Sequence, residues 1–187
     1  MNRLLIIGPP GAGKGTQAVK IAEKLNIPAI STGDIFRKNI KEATDLGQEA
    51  KSYIDSGNLV PDSVTNRMVR ARLAEDDTAQ GFLLDGYPRN TAQVAELDSI
   101  LADMGQKIDR VLLLVADNDE LVQRLLGRAA KEGRSDDNEE VIRHRLKVYQ
   151  EETAPLLEIY TERQLVSEVN GLGEIDEVTA RIMDALK

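Results

Sequence analysis

A glycine-rich segment near the amino terminus limits the possible folds of this chain more than any other feature. An apolar run over residues 3–7 ends at Gly8, and the segment GPPGAGKGTQ then covers residues 8–17. A helical pattern of apolar residues begins after Lys14. Glycines let successive backbone N–H groups point into one concavity, which the amino terminus of the following helix reinforces. This order therefore predicts a site for a chain of phosphates, with Lys14 as a mobile positive charge beside it.

The loop differs from the general phosphate-loop pattern at one position. That pattern places Ser or Thr directly after the lysine as a Mg²⁺ ligand, whereas Gly15 stands there and Thr16 follows. The dinucleotide-binding pattern G-x-G-x-x-G fails as well, because Thr16 occupies the place of its last glycine, which disfavours an oxidoreductase. The structural alternative is a tight strand-to-helix turn with a surface lysine, which four glycines in this context disfavour.

The rest of the chain alternates short apolar runs with amphipathic segments long enough to be helices. The later runs cover residues 27–30, 82–84, 111–115 and 165–169. Strands that are buried on both faces have continuous apolar runs, and parallel neighbours need helical crossovers. The alternation therefore predicts an α/β fold with three layers, in which helices cover both faces of a doubly wound parallel sheet.

Three segments depart from this alternation. Residues 32–60 are polar and helical without a strand, which indicates a helical flap. Residues 127–138 are charged and interrupted by glycine, so we expect a mobile loop there. Pro155 should bend or interrupt the helical segment that begins at residue 139, because its ring removes a backbone donor.

Composition excludes several other kinds of site. Zero cysteines exclude disulfides, thiolate metal sites, iron–sulfur clusters and a cysteine nucleophile. The formal charge of −8, from 24 Lys and Arg against 32 Asp and Glu, disfavours binding to nucleic acid or to an anionic membrane. No apolar run approaches the roughly 20 residues that a bilayer needs, and no signal-peptide pattern follows Met1. We therefore expect a cytoplasmic protein with a single core.

Five segments in order resemble the nucleoside monophosphate kinases over nearly the whole chain. They are GPPGAGKGTQ at 8–17, ISTGDIFR at 30–37, GNLVPD at 57–62, FLLDGYPRNTAQ at 82–93 and GRSDDNEE at 133–140. The second and third resemble the two ends of that family's acceptor flap, and the last resembles its lid in the short form. Within the family the adenylate kinases are the closest resemblance, because Thr32 and Gln93 occupy the positions associated with an adenine acceptor. Uridylate and cytidylate kinases usually carry Ala and Asn there.

The resemblance implies a fold and a reaction. The fold is a five-stranded P-loop α/β sheet with strand order 2-3-1-4-5, in one kinase domain over residues 1–187. An acceptor flap over 31–60 and a short lid over 127–137 are inserted in it. The reaction is ATP + AMP ⇌ 2 ADP, with Mg²⁺ bound with ATP. The long lid with a cysteine zinc site is absent, so no zinc is expected, and the family suggests a monomer.

Phosphoryl transfer spreads charge over oxygens in its transition state, so the protein needs positioned cations more than a nucleophile. The resemblance assigns catalysis to Lys14, Arg89, Arg128, Arg134 and Arg145. It assigns ATP binding to Gly11, Ala12, Gly13, Lys14, Gly15, Thr16, Arg128 and Gly173. It assigns AMP binding to Thr32, Arg37, Asn58, Leu59, Val60, Gly86, Tyr87, Pro88, Arg89, Gln93, Arg134 and Arg145. Any one of these arginines alone is compatible with a solvated surface residue, but five arginines match the family's spacing together.

Asp85 is the candidate metal-associated residue. It ends an apolar run at the expected carboxyl end of a strand, where open α/β sheets bind their ligands. Because Gly15 replaces the usual hydroxyl ligand, we expect Mg²⁺ to be held mainly by ATP phosphates and water, with Asp85 acting through that water. The alternative is a structural aspartate in a strand-end turn.

Three other polar residues near the expected lid allow more than one interpretation. Asp136 and Asp137 either pair with Arg128 or the core arginines, or are solvated loop residues. His144 is the single histidine, and we expect it to be structural or exposed to solvent. No catalytic histidine is required, because transfer to a phosphate oxygen that is already anionic needs no general base.

Two alternative functions stay open from the sequence. One is a uridylate or cytidylate kinase of the same family, which differs only in the base that the acceptor site recognises. The other is a nucleotide-dependent switch or binding module without useful turnover. The absence of a guanine-reading N-K-x-D string and the presence of two acceptor arginines disfavour the switch.

Overall fold

Five parallel strands form one sheet in the computed structural model, which describes residues 1–135 and 137–187. The strands are β1 (Asn2–Ile7), β2 (Ala29–Ser31), β3 (Gly81–Asp85), β4 (Arg110–Val115) and β5 (Val166–Asn170). Their order is β2-β3-β1-β4-β5, and each neighbouring pair is parallel. The predicted fold class and strand order are confirmed.

Helices connect the strands and cover both faces of the sheet. The helices of the described residues are α1 (Lys14–Leu25), α2 (Thr32–Lys41), α3 (Asp45–Asp55), α4 (Asp62–Leu73), α5 (Thr91–Asp103), α6 (Asn118–Glu132), α7 (Glu139–Val148), α8 (Leu156–Glu162) and α9 (Ile175–Ala185). None of these helices is long and apolar enough to cross a membrane.

The sheet separates two hydrophobic cores, because alternate residues of a strand point to opposite faces. Leu5 of β1 lies in one buried cluster with Leu97 of α5. Leu4 lies in the other with Ile21 of α1 and Ile182 of α9. Both faces of the central strands are therefore buried, which explains why these strands read as continuous apolar runs rather than alternating ones.

The strand order also positions the functional site. β3 and β4 lie on either side of β1, so the chain moves to opposite edges of the sheet from this central strand. In open α/β sheets such a switch point leaves a crevice at the carboxyl ends of the strands, where ligands bind. The glycine-rich loop leaves β1 at this crevice.

The segment between β2 and β3 forms a small helical unit with its own core. Phe36, Ala50, Val60 and Val64 make up a separate buried cluster from α2, α3 and the start of α4. Gly47 of α3 lets the two flap helices approach closely, because a Cβ added there would lie 2.1 Å from the carbonyl oxygen of Asn39. The expected flap is thus built of two helices without a strand.

One expectation about secondary structure is wrong. Residues 127–132, expected to be loop, continue α6 as far as Glu132. The reason is local: Ala129, Ala130, Lys131 and Glu132 are strong helix formers. The helix ends at Gly133, which has a left-handed φ of 61°. Farther on, a five-residue π-helical turn over Tyr149–Thr153 interrupts the helical segment, and α8 begins directly after Pro155, as expected.

Candidate active site

The glycine loop, defined here as residues 8–13, joins the carboxyl end of β1 to the start of α1. Gly13 precedes the helix with a φ of 90°, a left-handed backbone that glycine adopts without strain. Within the described residues no side-chain hydrogen bond caps the start of α1. The first N–H groups of this helix therefore stay available to an anionic ligand.

Lys14 lies against this loop and contributes its positive charge. Its Nζ donates a hydrogen bond to the carbonyl oxygen of Pro9 at 3.2 Å. Burial lowers the pKa of Lys14 to about 8; the carboxylate of Asp85 opposes this change, and three neighbouring arginines add to it. The ammonium group is thus a cation held among other cations, an arrangement that a bound polyanion would relieve.

This pKa gives a prediction about stability. The pKa of Lys14 is about 8 in the folded chain and 10.5 in the unfolded chain. Below pH 8 the side chain is charged in both states, and because the folded state binds this proton less tightly, the charge destabilises the fold. Replacing Lys14 with Met should raise the Tm at pH 7 by about 2–4 °C, on the order of 1 kcal/mol for a chain of this length. The difference in Tm between Lys14→Met and the wild type should shrink as the pH rises from 8 to 10.5.

Thermal unfolding of the wild type and of Lys14→Met at pH 7 and pH 10 measures this difference in Tm. Lys20→Met is a matched control, because Lys20 is also on α1 but is exposed and pairs with Asp176 at 3.1 Å. A Lys14→Met protein that is less stable than the wild type at pH 7 would contradict the prediction.

Two cavities that are lined by described residues meet above the glycine loop. The loop groove is lined by the loop, the start of α1, α6 and the turn before α9, including Gly11, Ala12, Gly13, Lys14, Gly15, Thr16, Asp85, Arg128, Arg134 and Gly173. The flap cavity is lined by the flap and the turn after β3, including Thr32, Arg37, Asn58, Leu59, Val60, Gly86, Pro88, Arg89 and Gln93. Lys14, Arg37, Arg89 and Arg145 line both cavities. Anions bound in the two cavities would therefore face each other across these cations.

Arg89 is held in place by its own backbone and side chain. Its N–H donates to Gln93 Oε1 at 2.6 Å, and its carbonyl oxygen accepts a hydrogen bond from Thr153 Oγ1 at 2.6 Å. Its Nε donates to the carbonyl oxygen of Gly86 at 3.0 Å, and Thr32 Oγ1 donates to the same oxygen at 3.0 Å. A Cβ on Gly86 would lie 2.5 Å from Thr32 Oγ1, so glycine is required for this close turn.

Asp137 joins two of the arginines. One of its carboxylate oxygens accepts from Arg128 Nη2 at 2.6 Å and from Arg145 Nη1 at 2.9 Å, and the other accepts from Arg128 Nε at 2.6 Å. Its side chain is fully buried. Burial alone would raise the pKa of Asp137, but the hydrogen bonds and positive charges of the arginines outweigh it and lower that pKa below its usual value. Asp137 is therefore a paired carboxylate rather than a solvated one, and Asp136 lies outside the described residues.

The segment after α6 and helix α7 both contact the end of the flap. Ser135 Oγ donates to Asp55 Oδ1 at 2.5 Å. His144 Nε2 lies 2.6 Å from Asn58 Oδ1, so the single histidine has a polar partner on the flap. Asn58 lines the flap cavity, so the contact with His144 joins α7 to one wall of that cavity.

Asp85 is buried at the carboxyl end of β3, where it lines the loop groove. Burial raises the pKa of this carboxyl, and the charges of Lys14 and Arg89 oppose that change. A Cβ on Gly15 would lie 3.7 Å from Asp85 Oδ2, so the carboxylate faces the position where other phosphate loops carry a hydroxyl ligand. Within residues 1–135 and 137–187, no group of three or more His, Asp or Glu side chains is placed to hold a metal ion. One carboxylate beside a phosphate site suits an ion that is held mainly by phosphates and water.

Two expected AMP-binding residues lie elsewhere. The side chain of Tyr87 is buried in the core, where its O–H donates to Asn66 Oδ1 at 2.8 Å, and only its neighbours line the flap cavity. Its large ring is better buried than placed in a polar cavity. Arg134 lines the loop groove and not the flap cavity, and its Nε lies 2.5 Å from Glu132 Oε2.

Other lining residues were not singled out from the sequence. Phe36 and Thr65 line the flap cavity, and Arg124 lines the loop groove, where its Nη1 donates to the carbonyl oxygen of Gly171 at 3.1 Å. Arg124 precedes Arg128 by four residues, so the helical repeat places both on one side of α6. That spacing was the available signal for Arg124. Phe36 and Thr65 gave no signal that distinguishes them from core residues.

The fold and the two joined cavities define a class of protein. A glycine loop between β1 and α1, at the switch point of a parallel sheet, with clustered cations beside it, is the arrangement of a P-loop nucleotide-binding α/β protein. The family model described as "Adenylate kinase" matches residues 6–165. The chain belongs to the adenylate kinase family and is accordingly a phosphotransferase whose acceptor is a phosphate group.

Curated relatives named "Adenylate kinase" match essentially from end to end. The protein of Kocuria rhizophila is 66% identical over 187 residues, which is 100% of both chains. That of Pseudarthrobacter chlorophenolicus is 63% identical over 187 residues, 100% of this chain and 97% of the relative. That of Thermobifida fusca is 58% identical over 185 residues, 99% and 98% of the two chains.

Proposed function

We propose that this enzyme catalyses the reversible transfer of a phosphoryl group from ATP to AMP, which gives two molecules of ADP. The observation that carries the proposal is that Lys14, Arg37, Arg89 and Arg145 line both the loop groove and the flap cavity. Two nucleotides with their phosphates at this junction would be held end to end, although their charges repel each other. The names of the relatives support the same reaction.

In this proposal ATP lies along the loop groove and AMP in the flap cavity. The ATP phosphates bind the backbone N–H groups between Gly11 and Thr16, and the adenine of ATP lies between Arg128 and Gly173. Arg37 and Arg89 bind the AMP phosphate, since guanidinium groups match phosphate oxygens in two-point hydrogen bonds. The remaining AMP contacts come from Thr32, Asn58, Leu59, Val60, Gly86, Pro88 and Gln93, which line the same cavity.

The chemical step is an in-line displacement. An oxygen of the AMP phosphate forms a bond to the γ-phosphorus of ATP, and the bond from that phosphorus to the β–γ bridging oxygen breaks with its electrons going to ADP. Lys14, Arg89, Arg128, Arg134 and Arg145 supply positive charge along this path, where the transition state spreads negative charge over the transferred oxygens. The attacking oxygen is already anionic, so no side chain has to remove a proton.

The geometry around Asp85 fits a Mg²⁺ ion that enters with ATP. Asp85 would hold the ion through its water ligands, because Gly15 offers no side-chain oxygen. When bound, the ion would neutralise charge on the β- and γ-phosphates. Closure of the flap and of the lid over 127–137 would exclude water, so that transfer to AMP is favoured over hydrolysis. We also propose, from the family resemblance, that the enzyme acts as a monomer in the cytoplasm.

A direct assay tests the proposed reaction. The purified protein is mixed with ATP, Mg²⁺ and AMP, UMP or CMP in turn, and the diphosphates are separated and quantified. We expect rapid formation of ADP with AMP and much slower turnover of UMP and CMP, and we expect EDTA to suppress the rate. Turnover of UMP or CMP at the AMP rate would instead indicate a sister kinase. The absence of any turnover would indicate a binding module.

A further inference from the structure

The carboxamide of Gln93 lies between two groups of fixed polarity. Its Oε1 accepts a hydrogen bond from the backbone N–H of Arg89 at 2.6 Å. Its Nε2 donates to Asp62 Oδ1 at 2.9 Å. Gln93 is 2% exposed, and it lines the flap cavity, so this carboxamide is part of the wall that a bound base would meet.

These two partners allow only one orientation of the carboxamide. A backbone N–H can only donate, and an ionised carboxylate can only accept. If the amide rotated by 180°, its oxygen would face the carboxylate of Asp62 and its nitrogen would face the N–H of Arg89. Both hydrogen bonds would then be replaced by contacts between like partial charges, in a site where unpaired polar groups are costly.

Asn90 supports the position of Asp62. Its Oδ1 accepts from the backbone N–H of Gln93 as the cap of α5, which leaves its Nδ2 to donate to Asp62 Oδ1 at 3.0 Å. One oxygen of Asp62 therefore accepts from two side-chain amides. Asp62 is the first residue of α4 and does not itself line the flap cavity.

The fixed orientation determines what Gln93 offers to a ligand. An amide has two donor hydrogens and two acceptor lone pairs, and one of each is used by the protein. One lone pair of the oxygen and one hydrogen of the nitrogen remain. They match the exocyclic amine of adenine and its neighbouring ring nitrogen, the pairing by which glutamine commonly recognises adenine. A base with a carbonyl oxygen in place of that amine would set its oxygen against Gln93 Oε1.

We propose that Asp62 determines the base preference of the acceptor site, by fixing the Gln93 carboxamide in the orientation that accepts a 6-amino purine and rejects a 6-oxo purine. This inference rests on the proposed function, in which the flap cavity binds AMP. Asp62 acts through Gln93 and is thus a positioning residue. The effect of Asp62 should appear in the preference for AMP over IMP, because these two nucleotides differ at the atoms that the carboxamide faces.

The test measures kcat/KM for AMP and for IMP at fixed ATP and Mg²⁺. In Asp62→Ala only the backbone N–H of Arg89 still orients the amide, so the rotated form becomes less costly, and we expect the ratio of AMP to IMP efficiency to fall by about tenfold, the scale of one hydrogen bond. The fall should come mainly from a higher KM for AMP, while the KM for ATP stays within about twofold. Asp62→Asn keeps an acceptor oxygen but can also donate, so we expect an intermediate fall of about threefold.

Asp119→Ala is the matched control, since Asp119 is also an aspartate in the first turn of a helix but is exposed and lies on α6. It should leave the ratio unchanged. A purely structural role of Asp62 would lower the efficiencies with AMP and IMP by the same factor. If wild-type protein uses AMP but the ratio stays within twofold in Asp62→Asn and in Asp62→Ala, or in Asp62→Asn alone should the alanine variant not fold, the inference is overturned. A wild-type protein without AMP turnover would overturn the proposed function instead.

Discussion

Replacing Lys14 with Met should lower kcat for ADP formation by about 10³-fold or more, on the scale at which removal of one transition-state cation is measured. Lys14 lines both cavities and lies among Arg89, Arg128 and Arg145, where the transferring group would pass. Methionine keeps most of the length of the side chain but removes its charge. A loss of 10³ corresponds to about 4 kcal/mol of transition-state stabilisation.

Steady-state kinetics with ATP and AMP measure this loss, and two variants make the result specific. Lys20→Met, on the exposed side of α1, should keep the wild-type rate. Lys14→Arg keeps the charge but not the compact ammonium group, and we expect it to recover only part of the activity. A Lys14→Met enzyme with more than a tenth of the wild-type kcat would show that the arginines alone supply the required charge.

Lys14 should have opposite effects on the stability of the fold and on the activity of the enzyme. Lys14 destabilises the empty fold, because its ammonium group is buried beside other cations and its pKa is lowered to about 8. The same crowding of positive charge is what a phosphate chain would neutralise. Greater thermal stability and lost activity in one variant would therefore have a common electrostatic cause.

The fold was predictable because its signals are local. Leu4 and Leu5 face opposite sides of the sheet and are both fully buried, so β1 shows in the sequence as an uninterrupted apolar run over residues 4–7. The glycine loop was likewise predictable, since its backbone requirement is met by residues next to one another. The end of α6 was not predicted, because Gly127 and Gly133 resemble the two ends of a loop. In the folded chain a Cβ on Gly127 would meet nothing within 4 Å, so this glycine lies in the helix without a packing role.

The candidate site was less predictable, since its support comes from distant residues. The pairing of Asp137 depends on Arg128 and Arg145, nine and eight residues away on two different helices. The contact of Asp62 with Gln93 spans 31 residues. From the sequence the pairing of Asp137 with Arg128 or the core arginines was one of two alternatives, the other being a solvated loop residue. Asp62 resembles an ordinary aspartate at the start of a helix. Only the packing of α4 beside α5, and of α6 beside α7, brings these partners together.

Replacing Asp137 with Ala should impair both catalysis and stability. The carboxylate is fully buried, and it holds Arg128 through two hydrogen bonds and Arg145 through one. Without it the two guanidinium groups lose their common anchor beside the loop groove. Misplacement of catalytic groups by about 1 Å can cost about 10²-fold, and we expect kcat to fall by about that factor.

The loss of stability should be moderate. Removing one partner of a fully buried pair costs roughly 3–5 kcal/mol, and we expect about 2 kcal/mol here because both arginines keep some contact with water. For a chain of this length the Tm should fall by about 4–8 °C. Glu139→Ala is the matched control, since Glu139 forms an exposed pair with Arg143 on α7 and should change the Tm by no more than about 2 °C.

The pH dependence separates the charge of Asp137 from its shape. Its pKa in the folded chain is lower than the unfolded value of 3.8, so the carboxylate stabilises the fold above that pH, and the effect disappears as the pH falls through the folded pKa. The difference in Tm between wild type and Asp137→Ala should therefore be constant from pH 5 to 8 and should narrow below about pH 4. A difference that does not change with pH would mean that Asp137 acts by filling space, and the anchoring role of its charge would then be rejected.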